Sequence, residues 1–95
     1  MEYFFVYILR CSDGTYYVGQ TDDIEKRMAA HRSRIKGSYT ASRLPVEIVF
    51  VQQFASRDEA IGMERKIKGW TRKKKEALIN GNWDRIALLA KKKFD

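Results

Sequence analysis

Cysteine occurs once in this sequence, at Cys11, so the chain can form no internal disulfide. That excludes the disulfide-stapled secreted scaffolds and fits a reducing, cytoplasmic setting. Cys11 falls at a strand end with no histidine nearby, which favours a partly buried thiol over a nucleophile. Proline is as scarce, and the six glycines are scattered, which argues against disorder and low complexity. No stretch is apolar for long enough to span a bilayer, so no membrane partner is expected. The acidic Met1-Glu2 start lacks the basic n-region of a signal peptide. No repeat or linker divides the 95 residues, which read as one domain, 1–95, large enough to fold without disulfides or a structural metal.

What the chain does have is aromatic and basic. Apolar residues make up 44%, including five Phe, five Tyr and two Trp, enough for one core. Lys+Arg number 19 against 12 Asp+Glu, a formal charge of +7. Such a surplus suits a polyanionic partner, although excess lysine is also a common way to solvate a surface. Residues 3–10, YFFVYILR, are aromatic and β-branched on both alternating faces, the pattern of a central strand covered on both sides. Ser12-Asp13-Gly14 then leads into a second strand, 15–20. A three-residue loop with Gly14 in the left-handed conformation pairs Cys11 with Thr15, Leu9 with Tyr17 and Tyr7 with Gly19. Tyr7 and Tyr17 then share a face. A two-residue Asp13-Gly14 turn would set them on opposite faces, because a one-residue slip flips every side chain. The three-residue form is the one expected.

Asp22 with Glu25 makes a capping pair for a first helix running to about residue 35. A polar connection, 36–45, precedes a third strand, 46–54. Ser56 and Glu59 form a capping box for a second helix, 57–68, and Thr71 opens a third through 79. Asn80-Gly81-Asn82 breaks that helix, and Asn82 caps a last one striped by Trp83, Ile86, Ala87 and Ala90.

Two of these helices carry a contradiction. Ile24, Met28 and Ile35 make the apolar stripe of the first, yet Arg27 and His31 fall within it. Ala60, Met63 and Ile67 make the stripe of the second, with Glu64 inside it. A carboxylate isolated from water there would cost several kcal/mol. Either these polar groups satisfy one another in the core, Arg27 pairing with Glu64, or they line a cleft. Taken with the tyrosines they form a kit for phosphodiester hydrolysis. A glutamate can hold one Mg²⁺, which keeps several waters and binds through one or two carboxylates plus substrate phosphate. An arginine can take the charge that grows on phosphoryl oxygens, and a tyrosine or histidine can position or deprotonate a water. No second acidic pair suggests a two-metal site, no His/Cys cluster suggests zinc, and no glycine loop cradles a triphosphate.

The ordered set resembles the GIY-YIG nuclease superfamily, in particular its small stand-alone bacterial members. Val6-Tyr7-Ile8 stands at the first signature triplet and Tyr17-Val18-Gly19 at the second. Arg27, eight residues after Gly19, matches the family's arginine, His31 a position held by His or Tyr, and Glu64 the metal-binding glutamate. The segments KGSYTASRLPVEIVF and ERKIKGWTRKKKEALI look like the stand-alone subgroup, so the likeness runs over essentially the whole chain. It implies an α/β (α+β) fold, a small three-stranded antiparallel sheet flanked by helices, with a shallow site on one sheet face. It also implies that Tyr7 or Tyr17 orients or activates water, His31 assists proton transfer, Arg27 stabilises the transition state and Glu64 holds a single Mg²⁺ or Mn²⁺. Gly19, across from Tyr7, would leave room for water and a phosphate. A free tyrosine has a pKa of about 10, so a basic phenol would need Arg27 and the metal beside it. Two positions depart from the family pattern. Gln20 replaces a common lysine, and Lys74-Lys75-Glu76 stands where many members have a late asparagine, Asn80 lying further along.

Nucleic-acid contacts are expected from Arg32, Arg34, Lys36 and Arg43 around Ser38, Tyr39 and Thr40, and from Arg72, Lys73, Lys74 and Lys75 at the third helix. Tyr39 or Trp70 could stack on an unpaired base, and the lysines at 91–93 read as a tail. The function expected is Mg²⁺-dependent endonuclease action on DNA, with RNA as the other candidate. Structure rather than sequence would direct it, as in repair or recombination, with room for a protein partner that targets it. The rival is a nucleic-acid-binding module on the same fold with little or no turnover. A third reading is a structural or partner-binding protein whose polar core network does no chemistry.

Overall fold

The computed structural model describes residues 3–32, 40 and 42–81. The expected end of the first helix with Ile35, the residues Arg34, Lys36, Ser38 and Tyr39, and the last helix with the 91–93 lysines lie outside the described residues. Three strands, β1 (Phe4–Cys11), β2 (Tyr16–Thr21) and β3 (Val46–Phe54), form one antiparallel sheet in the order β2-β1-β3. The central place of β1 follows from its composition: only a strand covered on both faces can bury aliphatic and aromatic residues at successive positions.

The hairpin has the expected three-residue loop. Gly14 sits at φ 83°, its N–H donates to the Cys11 carbonyl at 2.9 Å, and the Cys11 N–H donates to Thr15 at the same distance. Tyr7 therefore pairs with Gly19 and Leu9 with Tyr17. Between β1 and β3 the register slips once, at Ile8/Leu9, so Ile8 faces Phe50 and Leu9 faces Ile48. This bulge was not foreseen.

Helices α1 (Ile24–Arg32), α2 (Arg57–Lys68) and α3 (Arg72–Ile79) take opposite sides of the sheet. On one face Phe4, Val6, Ile8 and Val18 pack with Ala60 and Ile67 of α2 and Ala77 and Leu78 of α3. Full burial of an aliphatic side chain of this size is worth about 1.5–3 kcal/mol, so this face carries most of the core's stabilisation. On the other face Tyr7, Leu9, Cys11 and Val46 pack with Met28 of α1. Cys11 is a buried free thiol.

Ser56 caps α2 through the Glu59 N–H and donates its own hydroxyl proton to the Glu59 carboxylate, and Thr71 caps α3 through the Lys74 N–H. The cap of α1 differs from expectation. Asp23, not Asp22, accepts the Lys26 N–H at 3.0 Å. Thr21 Oγ1 accepts the Asp23 N–H at 3.1 Å and fixes that residue at the helix entrance, while Asp22 points to Arg57 at 4.0 Å. Among the described residues no helix is long and apolar enough to cross a membrane.

Candidate active site

Tyr7 and Tyr17 rise from the same sheet face, their ring centroids 6.3 Å apart. His31, from the last turn of α1, comes down between them: its ring lies 4.9 Å from Tyr17 and 5.8 Å from Tyr7, edge-on to both. The apparent misplacement of Arg27 and His31 in the α1 stripe is thereby resolved. The stripe faces tyrosines with polar ends rather than a wholly aliphatic surface. His31 Nε2 lies 2.8 Å from the Tyr7 hydroxyl, and Arg27 Nε donates to the same oxygen at 3.2 Å.

The group divides into an enclosed half and an open half. Tyr7 is fully buried and His31 nearly so, at 6% exposure, whereas Arg27 is exposed and Tyr17 half-buried. Burial raises the Tyr7 pKa above its ordinary value, and the Tyr17 and Glu64 charges push the same way; the opposing Arg27 bond and charge do not cancel this. Tyr7 is thus a protonated phenol at neutral pH. Burial, then the Arg27 charge, lowers the His31 pKa, which keeps the imidazole neutral. Hydrogen bonds to Tyr7 and then to Tyr17 raise the Arg27 pKa, so this cation is held charged and aimed by both phenols.

Glu64 pairs with Lys68 at 3.5 Å, not with Arg27, and its side chain keeps 18% of its exposure. Of the two arrangements left open by the sequence, the Arg27–Glu64 core pair is not formed. Glu64 lies close enough to Tyr7 for its charge to act on the phenol. Among the described residues no three or more His, Cys, Asp or Glu side chains gather into a metal cage. Glu64 is a single carboxylate on α2, the helix that packs against the other sheet face, and its charge alone connects it to Tyr7.

Gly19 permits a close approach of Tyr7. A Cβ there would stand 2.5 Å from the Tyr7 hydroxyl oxygen and 2.6 Å from Cζ. The space a side chain at 19 would need is taken by the end of the Tyr7 ring. Gln20 faces the other way along β2 and leaves its Oε1 buried without a hydrogen-bond partner.

Several expected nucleic-acid contacts are engaged within the protein. Arg43 pairs with Asp13 at 3.1 Å. Arg72 donates to the Gly14 carbonyl at 2.7 Å, stacks 4.7 Å from the Tyr16 ring and reaches Glu76 at 3.8 Å. Lys74 lies 4.3 Å above Trp70, whose ring packs against the core beneath α2 and α3. These cations brace the β1–β2 turn and α3. Arg32, at the end of α1, and Lys73 are exposed. One partner had no place in the sequence expectation of the catalytic group: Thr40, fully buried, with Oγ1 3.1 Å from His31 Nδ1. A threonine nine residues after the histidine in a polar connection gives no periodic clue to this contact.

The chain as a whole is similar to known proteins. The model of the GIY-YIG catalytic domain matches residues 3–77, and the chain belongs to that family, a nuclease superfamily. A UPF0213 protein of Streptococcus pneumoniae is 42% identical over 84 residues, 88% of this chain and 85% of that one. Another from Halobacterium salinarum is 44% identical over 74 residues, covering 78% of this chain and 96% of its own. The solution structure of a UPF0213 protein from Bacillus halodurans superposes with a TM-score of 0.55 at 38% identity, covering 82% of this chain and 83% of that one. That of an Enterococcus faecalis protein gives 0.60 at 35%, covering 85% and 90%.

Proposed function

We propose that this protein is a metal-dependent endonuclease that hydrolyses phosphodiester bonds in DNA and selects its substrate by shape. The observation that carries the reading is the convergence of Tyr7, Tyr17 and His31 on a charged, exposed Arg27, with Glu64 close by.

The roles follow from exposure. Tyr17 is the phenol that solvent can reach, so it orients the attacking water. Arg27 receives the charge that develops on the phosphoryl oxygens, as a guanidinium already aimed by its two phenols. Tyr7 and His31 lie behind them. Tyr7 accepts from Arg27 Nε and fixes its direction, and the neutral imidazole shares a hydrogen bond with Tyr7 from behind. They are positioning residues, and the raised Tyr7 pKa argues against a resting tyrosinate base.

Glu64 fits a hard divalent cation on the chemistry of its donor set. It is a single, partly exposed carboxylate whose present partner, Lys68, is a surface ammonium that a cation can displace. Mg²⁺ binds through one or two carboxylates and takes its other ligands from water and substrate phosphate, and Mn²⁺ accepts the same oxygen donors. Bound there, it would supply Lewis-acid stabilisation of the phosphate. Repair or recombination intermediates suit an enzyme whose exposed cations, such as Arg32 and Lys73, offer backbone contacts and no base readout.

The test uses chelator-treated protein with flap, branched and single-stranded DNA, and RNA of the same sequences, with and without added Mg²⁺ or Mn²⁺. Cleavage restored by metal on a DNA junction is the expected result. Binding without cleavage on every substrate would favour the non-catalytic module.

A further inference from the structure

We infer that Thr40 is a positioning residue that fixes the tautomer of His31, so that Nε2 is the acceptor facing Tyr7. The inference rests on the nuclease reading for its consequence but not for its geometry. His31 is the only histidine in the chain, and both of its ring nitrogens are engaged. Thr40 Oγ1 touches His31 twice, at Nδ1 (3.1 Å) and at the main-chain carbonyl (3.2 Å).

The hydroxyl has one proton and a carbonyl can only accept, so the proton goes to the His31 carbonyl. That carbonyl belongs to the last described turn of α1. With its proton committed, Oγ1 can only accept from the ring, which places the imidazole proton on Nδ1. A neutral imidazole then has its lone pair on Nε2, and the 2.8 Å contact there must be donated by the Tyr7 hydroxyl. The phenol oxygen in turn presents its lone pairs to Arg27 Nε at 3.2 Å. Every donor in the series has an acceptor: Arg27 to Tyr7, Tyr7 to His31, His31 to Thr40, Thr40 to the end of α1. The opposite tautomer would set Oγ1 and the carbonyl as two acceptors face to face and turn the proton of the fully buried Tyr7 away from the ring.

Thr40 is itself anchored to the hairpin that carries the tyrosines. The Arg43 N–H donates to the Thr40 carbonyl at 3.0 Å, the Ser12 N–H donates to the Arg43 carbonyl at 2.9 Å, and the Arg43 side chain holds Asp13. The polar connection after α1 thus places one hydroxyl against one imidazole nitrogen, braced from the β1–β2 turn.

Because one histidine gives one pair of ring-nitrogen resonances, long-range ¹H–¹⁵N correlation spectra of the wild-type protein at pH 8 read the tautomer directly. A protonated Nδ1 with an unprotonated Nε2 is expected; a protonated Nε2, or averaging between the two, would overturn the inference. Thr40→Ser should keep the Nδ1–H form and near-native cleavage. Thr40→Val should give mixed or inverted tautomers and cleavage lower by about 10–100-fold, the range seen when a partner that orients a metal-bound histidine is lost. A folded Thr40→Val that keeps the pure Nδ1–H form contradicts the inference. If Thr40→Val does not fold, the wild-type spectrum alone decides. An Nδ1–H tautomer in a protein that cuts nothing would leave the positioning role standing and remove the nuclease reading.

Discussion

The Tyr7 hydroxyl and His31 Nε2 are 2.8 Å apart, in a place that solvent does not reach. The phenol is kept protonated and the imidazole neutral by the same burial. This pair turns a buried polar contact into a support for the exposed cation next to it. Its removal should therefore be felt in stability and activity together. Tyr7→Phe leaves the imidazole nitrogen unpaired, at a cost of about 1–3 kcal/mol by urea denaturation. Tyr17→Phe, at a half-buried position, should change stability by less than about 0.5 kcal/mol while lowering cleavage. Equal stability losses in the two variants would contradict the division into an enclosed and an open half.

Gly19→Ala tests the packing of the Tyr7 ring. The added Cβ meets the phenol ring itself, flanked by Tyr17 Cε1 at 3.0 Å, so the ring cannot simply rotate away. A loss of about 1–3 kcal/mol is expected, as for overpacking in a filled core, and the Tyr7–His31 bond should break with it. An unchanged denaturation midpoint would mean that the ring is less constrained than described.

The lowered His31 pKa has a consequence for pH. The unfolded imidazole, at its ordinary 6.5, takes a proton before the folded one does. Between those two pKa values the unfolded state binds more protons, so stability falls as pH falls. The contribution is complete above pH 6.5 and is lost as pH drops through the folded value. Denaturation of wild type and His31→Gln at about pH 8 and about pH 5 isolates it, because the titrating carboxylates are shared. The wild type's advantage should shrink at the lower pH; growth of that advantage would reverse the sign assigned here.

Arg27 is exposed, so its truncation should cost little stability, within about 1 kcal/mol. Cleavage should nonetheless drop roughly 10²–10³-fold in Arg27→Ala, the scale of losing one fixed donor to a developing oxyanion. Arg27→Lys should recover only part of it, since an ammonium cannot hold both phenols in a fork. A large stability loss with normal cleavage would assign Arg27 to structure alone.

Much of this arrangement was legible in the chain, because local chemistry decides it. Gly14 determined the hairpin loop, the loop determined the register, and the register put Tyr7 and Tyr17 on one face. Ser56 and Thr71 marked helix starts by spacing and hydroxyl chemistry. Pattern failed where partners come from distant elements. Asp22 and Asp23 are equivalent by composition, and the choice between them depends on Thr21 Oγ1 and on Arg57 across the fold. A charge run cannot reveal that Arg72 reaches the Gly14 carbonyl or that Arg43 holds Asp13. Gly19 was recognised as a place needing space, but only the packed ring tells what fills it. Thr40 escaped notice for the same reason: its partner lies across a connection with no periodicity.

The most direct test of the account is a paired measurement on Glu64→Ala, with cleavage and binding followed on one junction substrate in the same Mg²⁺ buffer. The carboxylate is partly exposed and outside the Tyr7–His31 contact, so the variant should fold and bind DNA as the wild type does. Binding retained with cleavage abolished is the predicted result. Cleavage by Glu64→Ala at the wild-type rate, still dependent on Mg²⁺, would contradict it, because the metal would then act somewhere other than beside the tyrosines.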